Sequence, residues 1–129
     1  MRVLRQNELY RFELDGQVLA FRWTERTAQM SEQDFKDALV SYAGCALEHR
    51  PRGLLIDTRA FQYPRETPGA WRDEHIVPLY REAGAHRMAY VLPVPAGNAV
   101  PPPRAQHRFD EAFFADEPSA VAWLCASGA

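Results

Sequence analysis

The sequence predicts an α/β domain, with a β-hairpin first and then helices and strands in alternation. Three observations carry this. Residues 8 to 14, ELYRFEL, set Tyr10, Phe12 and Leu14 on one face and Leu9, Arg11 and Glu13 on the other, and lead into Asp15-Gly16, a strong hairpin turn. RGLLID at 52–57 and RMAYVLP at 87–93 are short apolar runs without alternation, as strands buried on both faces should be. Segments with helix caps and helical spacing stand between them. Such alternation specifies a parallel sheet with right-handed crossovers, which lays the strands side by side in chain order.

Residues 17 to 24, QVLAFRWT, form the return strand of the hairpin, and apolar groups on both its faces suit a central position. Ser31 opens the first helix. Its hydroxyl can accept from the backbone N–H near Asp34, whose carboxylate suits the positive helix end. Met30 and Phe35 hold the two positions of a hydrophobic staple. Phe35, Leu39, Tyr42 and Ala46 follow as one stripe at helical spacing. The helix is expected to stop near Arg50, because Pro51 disfavours a helical residue before it.

After the strand at 52–57, Thr67 fits an N-cap with Pro68 at the first helical position. Trp71, Ile76 and Leu79 or Tyr80 face the core of that helix, Pro78 must kink or split it, and Gly84 fits its stop. The strand at 87–93 leads into PVPAGNAVPPPR, residues 93–104, a loop or extended crossover. At most a turn or two of helix is expected near 103–110, and a last short strand falls within 108–114. Asp116 or Glu117 caps a final helix, SAVAWLCA.

A chain of 129 residues, 1–129, makes one domain and can bury a core without staples. Net charge is -2 and Lys and Arg form no run, so nothing steers the chain to nucleic acid or an anionic membrane. The start MRVLRQNELYRF has no apolar signal run, and no segment approaches the ~18 apolar residues of a spanning helix. A cytoplasmic location is the resulting expectation. Cys45 and Cys125 fall in the amphipathic helices and read as small core residues, with no support for a disulfide.

The order of motifs along nearly the whole chain resembles the bacterial STAS/SEC14-like single-domain proteins, which share the SpoIIAA-like fold. The features that carry the resemblance start with the early hairpin with Trp23, and Met30-Ser31-Glu32 before the first helix. LLIDTRAF at 54–61 and W-x4-I-x-P at Trp71, Ile76 and Pro78 follow. G-x-x-R-x-A-Y-V at 84–91 and F-x-D-E-x-x-A-V-A-W-L at 114–124 complete the set. The resemblance implies a mixed five-stranded sheet, an N-terminal hairpin then parallel strands, covered by three to four helices. It also implies a regulatory or binding role rather than an enzymatic one. Relatives have more helix between the fourth and fifth strands, where this chain has its prolines.

The residues singled out for function are Asp57, Arg59, Phe61, Tyr63, Arg65, Thr67 and Trp71. Asp57 ends a buried strand, where open α/β sheets place ligand groups, but an Asp before Thr58 and Arg59 is better explained by turn N–H groups and an arginine partner. Arg59, Arg65 and the N–H groups at 68–70 offer a rim for an anion, against the simpler reading of a solvated loop. Distant members of the fold, the anti-sigma-factor antagonists, carry a phosphorylated serine in Asp-Ser-Ser-Gly at this helix start. Here Glu66-Thr67-Pro68-Gly69 lacks that pattern, and the N-cap role explains Thr67. Phe61 and Tyr63 are aromatic residues in a loop, which suits a lid over the core, a partner surface or the mouth of an apolar pocket.

His49, His75, His86 and His107 have no metal spacing, so no metal site and no cofactor are expected. Ser31, Ser41 and Ser119 lack a nucleophile elbow, and Asp73 and Glu74 diverge by about 100° on their helix. No catalytic residue is assigned, and an enzyme using Asp57 and His75 is the last of three readings. The first is a non-enzymatic regulatory module acting through protein contacts around residues 58–72. The second is a carrier or sensor of a small apolar or lipid-like ligand. The expected partner is thus a protein or a small apolar ligand, with a homodimer left open.

Overall fold

The computed structural model describes residues 1–95, 97–106 and 108–126. Strands β1 (Arg2–Gln6), β2 (Tyr10–Asp15) and β3 (Val18–Trp23) come first. A 3-10 turn (Glu25–Gln29) and helix α1 (Glu32–His49) lead to β4 (Gly53–Asp57). Helices α2 (Gly69–His75) and α3 (Val77–Glu82) lead to β5 (Arg87–Val91), and β6 (Arg104–Gln106), β7 (Phe109–Phe114) and α4 (Glu117–Cys125) complete the order. Among the described residues these strands form one seven-stranded mixed sheet, ordered β1-β2-β3-β4-β5-β7-β6. The run β3-β4-β5-β7 is parallel, and antiparallel strands flank it on both sides.

The hairpin closes on Gly16, whose φ of 60 belongs to the left-handed region. Asp15 pairs with Val18, so the two-residue loop is Gly16-Gln17, with glycine at its first position as a type II′ turn requires. Opposite pairs Tyr10–Trp23, Phe12–Phe21 and Leu14–Leu19 share one face, and Arg11–Arg22, Glu13–Ala20 and Asp15–Val18 share the other. The first face lies under α1, α2 and α3. Phe12, Phe21, Tyr42, Leu54, Ile76, Tyr80 and Met88 are fully buried there. The second face lies under α4, where Leu55, Ala89 and Val91 meet Ala120 and Leu124. Gly53 makes that approach close, since a Cβ on it would stand 3.0 Å from Leu124.

The helix signals act as their chemistry requires. Ser31 accepts from Asp34 N–H (3.0 Å) and Asp34 accepts from Ser31 N–H (2.9 Å), a complete capping box. Helix α1 ends on Arg50 in the left-handed conformation, φ 48, one residue before Pro51. Pro78 splits the next helix into α2 and α3, with Ile76 between them. Gly84, φ 92, donates to the Arg81 carbonyl and Ala85 donates to Tyr80 (3.1 Å), the paired bonds of a Schellman stop. Asp116 caps α4 by accepting from Ser119 N–H.

Several expectations are corrected. The sheet has two more strands than the five expected. Strand β1 is an edge strand exposed along most of its length, and β6 is three exposed residues. Periodicity records one-sided burial, so a strand that buries neither face leaves none. Of the turn or two of helix allowed at most near 103–110 none forms among the described residues; β6 stands there instead, and β7 is the last short strand expected within 108–114. Each proline at 101–103 pushes the residue before it out of the helical region, and the chain arrives extended. Of the described residues between Leu92 and Pro103, none is in a helix or strand.

Thr67 does not cap α2. The structure has Pro68 in the cap position with no side-chain cap bond. Pro68 adopts φ -78 and ψ 77, and Gly69 N–H donates to the Thr67 carbonyl at 2.9 Å. That is an inverse γ-turn, and it moves Thr67 out of reach of the helix. Both cysteines are free, and Cys125 is exposed rather than in the core. Among the described residues no helix is long and apolar enough to cross a membrane.

Candidate functional site

Asp57 ends β4 on the α4 face. Its Oδ1 accepts from Arg59 N–H (3.1 Å) and Arg59 Nε (2.9 Å), and its Oδ2 accepts from Arg59 Nη2 (2.8 Å) and Arg22 Nη1 (3.0 Å). Burial works against the charge, but the bonds from Arg59 and Arg22 outweigh it and hold the carboxyl below its ordinary range. Arg22 also donates to Glu13 (2.7 Å) and bidentately to Glu117 (2.6 and 3.1 Å), while Arg11 Nε lies 2.6 Å from Glu13. Every acid here has an arginine. The cluster therefore ties β2, β3, β4 and the start of α4 together, with Asp57 in a structural role.

Most groups of the anion rim are engaged elsewhere. Arg59 is committed to Asp57, Arg65 lies 5.6 Å over the Tyr63 ring, Pro68 has no N–H, and Gly69 N–H is taken by Thr67. Asp57 and His75 do not converge either. They lie on opposite sides of the sheet, and the His75 ring is tilted against Trp71 at 5.9 Å. Trp71 is half-buried, with Lys36 Nζ 5.2 Å over its ring.

Phe61 and Tyr63 turn inward. Phe61 stands 5.0 Å from Trp23, and Tyr63 stacks on Phe35 at 6.1 Å. The loop after β4 is pinned at two points. Thr58 donates twice to the Val91 carbonyl, and the hydroxyl of buried Thr27 accepts from Gln62 N–H at 2.8 Å. The loop thus roofs the carboxyl ends of β4 and β5 on the face under α1. Beneath it lies a cavity of about 180 Å³ lined by Trp23, Phe35, Leu39, Ile56, Phe61 and Met88, with Thr58, Thr67, Arg72, Tyr80 and Tyr90 as its polar groups. Open α/β sheets place ligand crevices at this end of their strands.

Arg72 and Tyr90 of this lining belong to a polar group that sequence reasoning missed, whose Glu111 and Arg104 line a neighbouring cleft. Arg72 Nη2 donates to Glu111 Oε1 (2.5 Å) and Tyr90 Oη (2.8 Å), and Arg104 donates to Glu111 Oε2 (2.5 Å). Burial works against the Arg72 charge, but Tyr90 and Glu111 outweigh it and raise its pKa. Burial also raises the two phenols, Tyr90 up to about 12 and Tyr80 further. A signal for this group was present. Phe109, Glu111 and Phe113 alternate, so an acid holds an inward position between two aromatic residues.

Two larger clefts, of about 370 Å³ and 390 Å³, are lined by Glu111 with Arg104 and by Glu13 with Arg22 respectively. In each the central acid is already held by arginine, so of these three the aromatic cavity is the better candidate site. Among the described residues no group of three or more His, Cys, Asp and Glu side chains is placed to hold a metal ion, and His107 lies outside those residues.

Fold and site together define a mixed-sheet α/β protein with an aromatic-lined cavity under the β4–α2 loop. Comparison with family models, curated proteins and solved structures finds no match to this chain.

Proposed function

We propose that this chain is a non-enzymatic binding module whose cavity takes one small, flat, largely apolar molecule. The inward turn of Phe61 carries the reading, because it makes a loop aromatic part of the cavity wall, with Tyr63 packed behind it on Phe35 and Phe61. Size narrows the class. A cavity of about 150 Å³ lined by apolar side chains holds benzene, and this one is about 180 Å³. Sites for drug-sized ligands run to about 300–1,000 Å³, so a single ring fits and a lipid chain does not. The non-catalytic part of the reading is supported by Asp57 and Glu111, both held by arginine pairs and neither poised to move a proton.

A regulatory protein contact is the second reading. The outer side of residues 64–67 is exposed while the same loop roofs the cavity, so occupancy would reach a partner through the loop. The cytoplasmic placement and the SpoIIAA-like kinship belong to this reading as well. Two unpaired cysteines suit a reducing compartment. The hairpin followed by β3-α1-β4 and β4-α2-α3-β5 units supports the kinship.

The test is titration with toluene, benzyl alcohol and benzoate, read by Trp23 fluorescence and by melting temperature. At tenfold excess over Kd a bound probe stabilises by about 1.4 kcal/mol. At least one probe is expected to raise the melting temperature, and Leu39→Trp, which fills the cavity, should abolish the rise. Failure of all three probes at millimolar concentration would remove the proposal.

A further inference from the structure

Residues 64–75 are the most loosely anchored part of the cavity wall. Tyr63 is buried before them and Ile76 is buried after them, but no residue from 64 to 75 is buried. The segment comprises the exposed stretch 64–67, the γ-turn at Pro68 and helix α2, which has no side-chain cap. Its far end is a joint. Ile76 is at once the C-cap of α2 and the N-cap of α3, with φ -107 and ψ -48. Pro78 has no N–H for the Glu74 carbonyl, so the helical hydrogen-bond ladder is interrupted there, the usual cause of a bend between helical rods. Two side chains of α2 tie it to the rest of the fold. Trp71 lies half-buried against the core with Lys36 Nζ over its ring. Arg72 Nη2 donates to Glu111 Oε1 (2.5 Å) and Tyr90 Oη (2.8 Å) and touches Met88 Sδ (3.4 Å). Arg72 thus clasps strands β5 and β7 from a helix that buries nothing of its own.

The place of this segment gives joint and clasp a use. Thr67 and Arg72 line the aromatic cavity, while the rest of its lining comes from the pinned stretch at Thr58 and Phe61, from α1 and α3 and from the sheet. Ala70, Asp73 and Glu74 line the neighbouring cleft, so α2 stands between two spaces. Lifting residues 64–75 about Ile76 therefore opens the cavity while every buried side chain keeps its place. We infer that residues 64–75 are a hinged flap that admits ligand to the aromatic cavity, with Arg72 as its latch and the Ile76–Pro78 break as its hinge. The inference rests on the binding-module reading above and names how that site is gated. Segments with few buried contacts open locally at lower free energy than the whole fold, and hinges are a few residues at the ends of elements.

Two variants move the flap in opposite directions, and toluene, benzyl alcohol and benzoate at millimolar concentration are the probes. Pro78→Ala lies outside the cavity lining and restores the missing donor, so it should stiffen the hinge. Stopped-flow tryptophan fluorescence should show each probe that binds entering and leaving about fivefold more slowly, with Kd unchanged within about twofold. Arg72→Met releases the latch and leaves Arg104 on Glu111, so the same probes should enter about tenfold faster. Hydrogen exchange of the free chain reads the flap without any ligand. Amides of 69–75 should exchange about tenfold faster in Arg72→Met and more slowly in Pro78→Ala, while those of α1 and β4 stay unchanged. Probes that bind with equal rates to wild type and both variants would overturn the gate and leave the cavity reading standing. Exchange that rises along the whole chain in Arg72→Met would show that α2 opens only with the fold, and would overturn the flap. Should Arg72→Met fail to fold, wild-type rates and wild-type exchange in Pro78→Ala would overturn it alone. Binding by none of the three probes would remove the cavity reading and the gate with it.

Discussion

Asp57 and Thr67 show how one side chain can look functional in a sequence and be explained differently by its bonds. Asp57 accepts four hydrogen bonds from two arginines, so Asp57→Asn should lower stability by about 1–3 kcal/mol. The pH dependence follows in sign. Its folded pKa lies below the unfolded value, so the contribution is full above about pH 4 and is lost as pH falls through the lower folded value. Wild type and variant should therefore converge in acid denaturation curves below about pH 4, and a gap that stays constant would exclude the ion pairs as its cause. Thr67 is the opposite case. A capping threonine costs about 0.5–2 kcal/mol when replaced by alanine, but here the cap position belongs to Pro68. Thr67→Ala should be neutral within about 0.5 kcal/mol in urea melts. A loss above 1 kcal/mol would mean that the hydroxyl has a bond in solution that the γ-turn geometry denies it.

The helices differ in how their ends are secured. Helix α1 has a reciprocal capping box, a Met30–Phe35 staple and a left-handed stop at Arg50, and it carries Phe35, Leu39, Tyr42 and Ala46 onto the sheet. Ser31→Ala should cost about 1 kcal/mol, and Ser31→Asp should recover most of it, since either oxygen can accept from the Asp34 N–H. Equal melting temperatures for wild type and Ser31→Ala would show that packing alone sets the helix start. Helix α2 has no side-chain cap and buries none of its residues fully, so its position rests on Arg72 and Trp71. Both edges of the sheet are short and polar. Strand β1 adds a register shift at Val3/Arg5, a device that blocks pairing with another chain.

Across the molecule, the α4 face is held by charge as much as by apolar packing. Arg22 binds Glu13, Asp57 and Glu117, which lie on β2, at the end of β4 and at the start of α4. Burial and its partners act in opposite directions on Arg22, and the carboxylates, Glu117 foremost, raise its pKa. Arg22→Met would leave Glu13, 1% exposed, short of one of its two arginines. Breaking a buried pair from one side costs about 3–5 kcal/mol, so this variant should unfold at markedly lower urea than wild type. Loss of less than 1 kcal/mol would mean that water or Arg11 takes over. The double variant Arg22→Met/Glu13→Leu should recover part of the loss, because no buried acid then stands unpaired.

The α/β class, the hairpin, the ends of α1, the break at Pro78, the stop at Gly84 and the chain-order sheet from β2 to β5 were legible in the amino-acid order. Each depends on neighbours within a few positions, or on burial of a whole face that leaves its period in the chain. The edge strands β1 and β6 were not legible, since their pairing uses backbone groups that every sequence carries. Of the singled-out residues, Phe61 and Thr67 do meet at one cavity, with Tyr63 packed against Phe61. Asp57 and Arg59 belong to the other side of the sheet, because strand alternation sends Asp57 with Leu55 to the α4 face and Ile56 to the cavity. Arg72, Tyr80, Tyr90 and Glu111 come from three distant segments and share no spacing. Their meeting was set by the parallel register of β5 on β7, which places Met88 opposite Glu111 and Tyr90 opposite Phe113. Local bonding chemistry is written in adjacent residues, whereas a site assembled across strands exists only once the sheet has fixed its register.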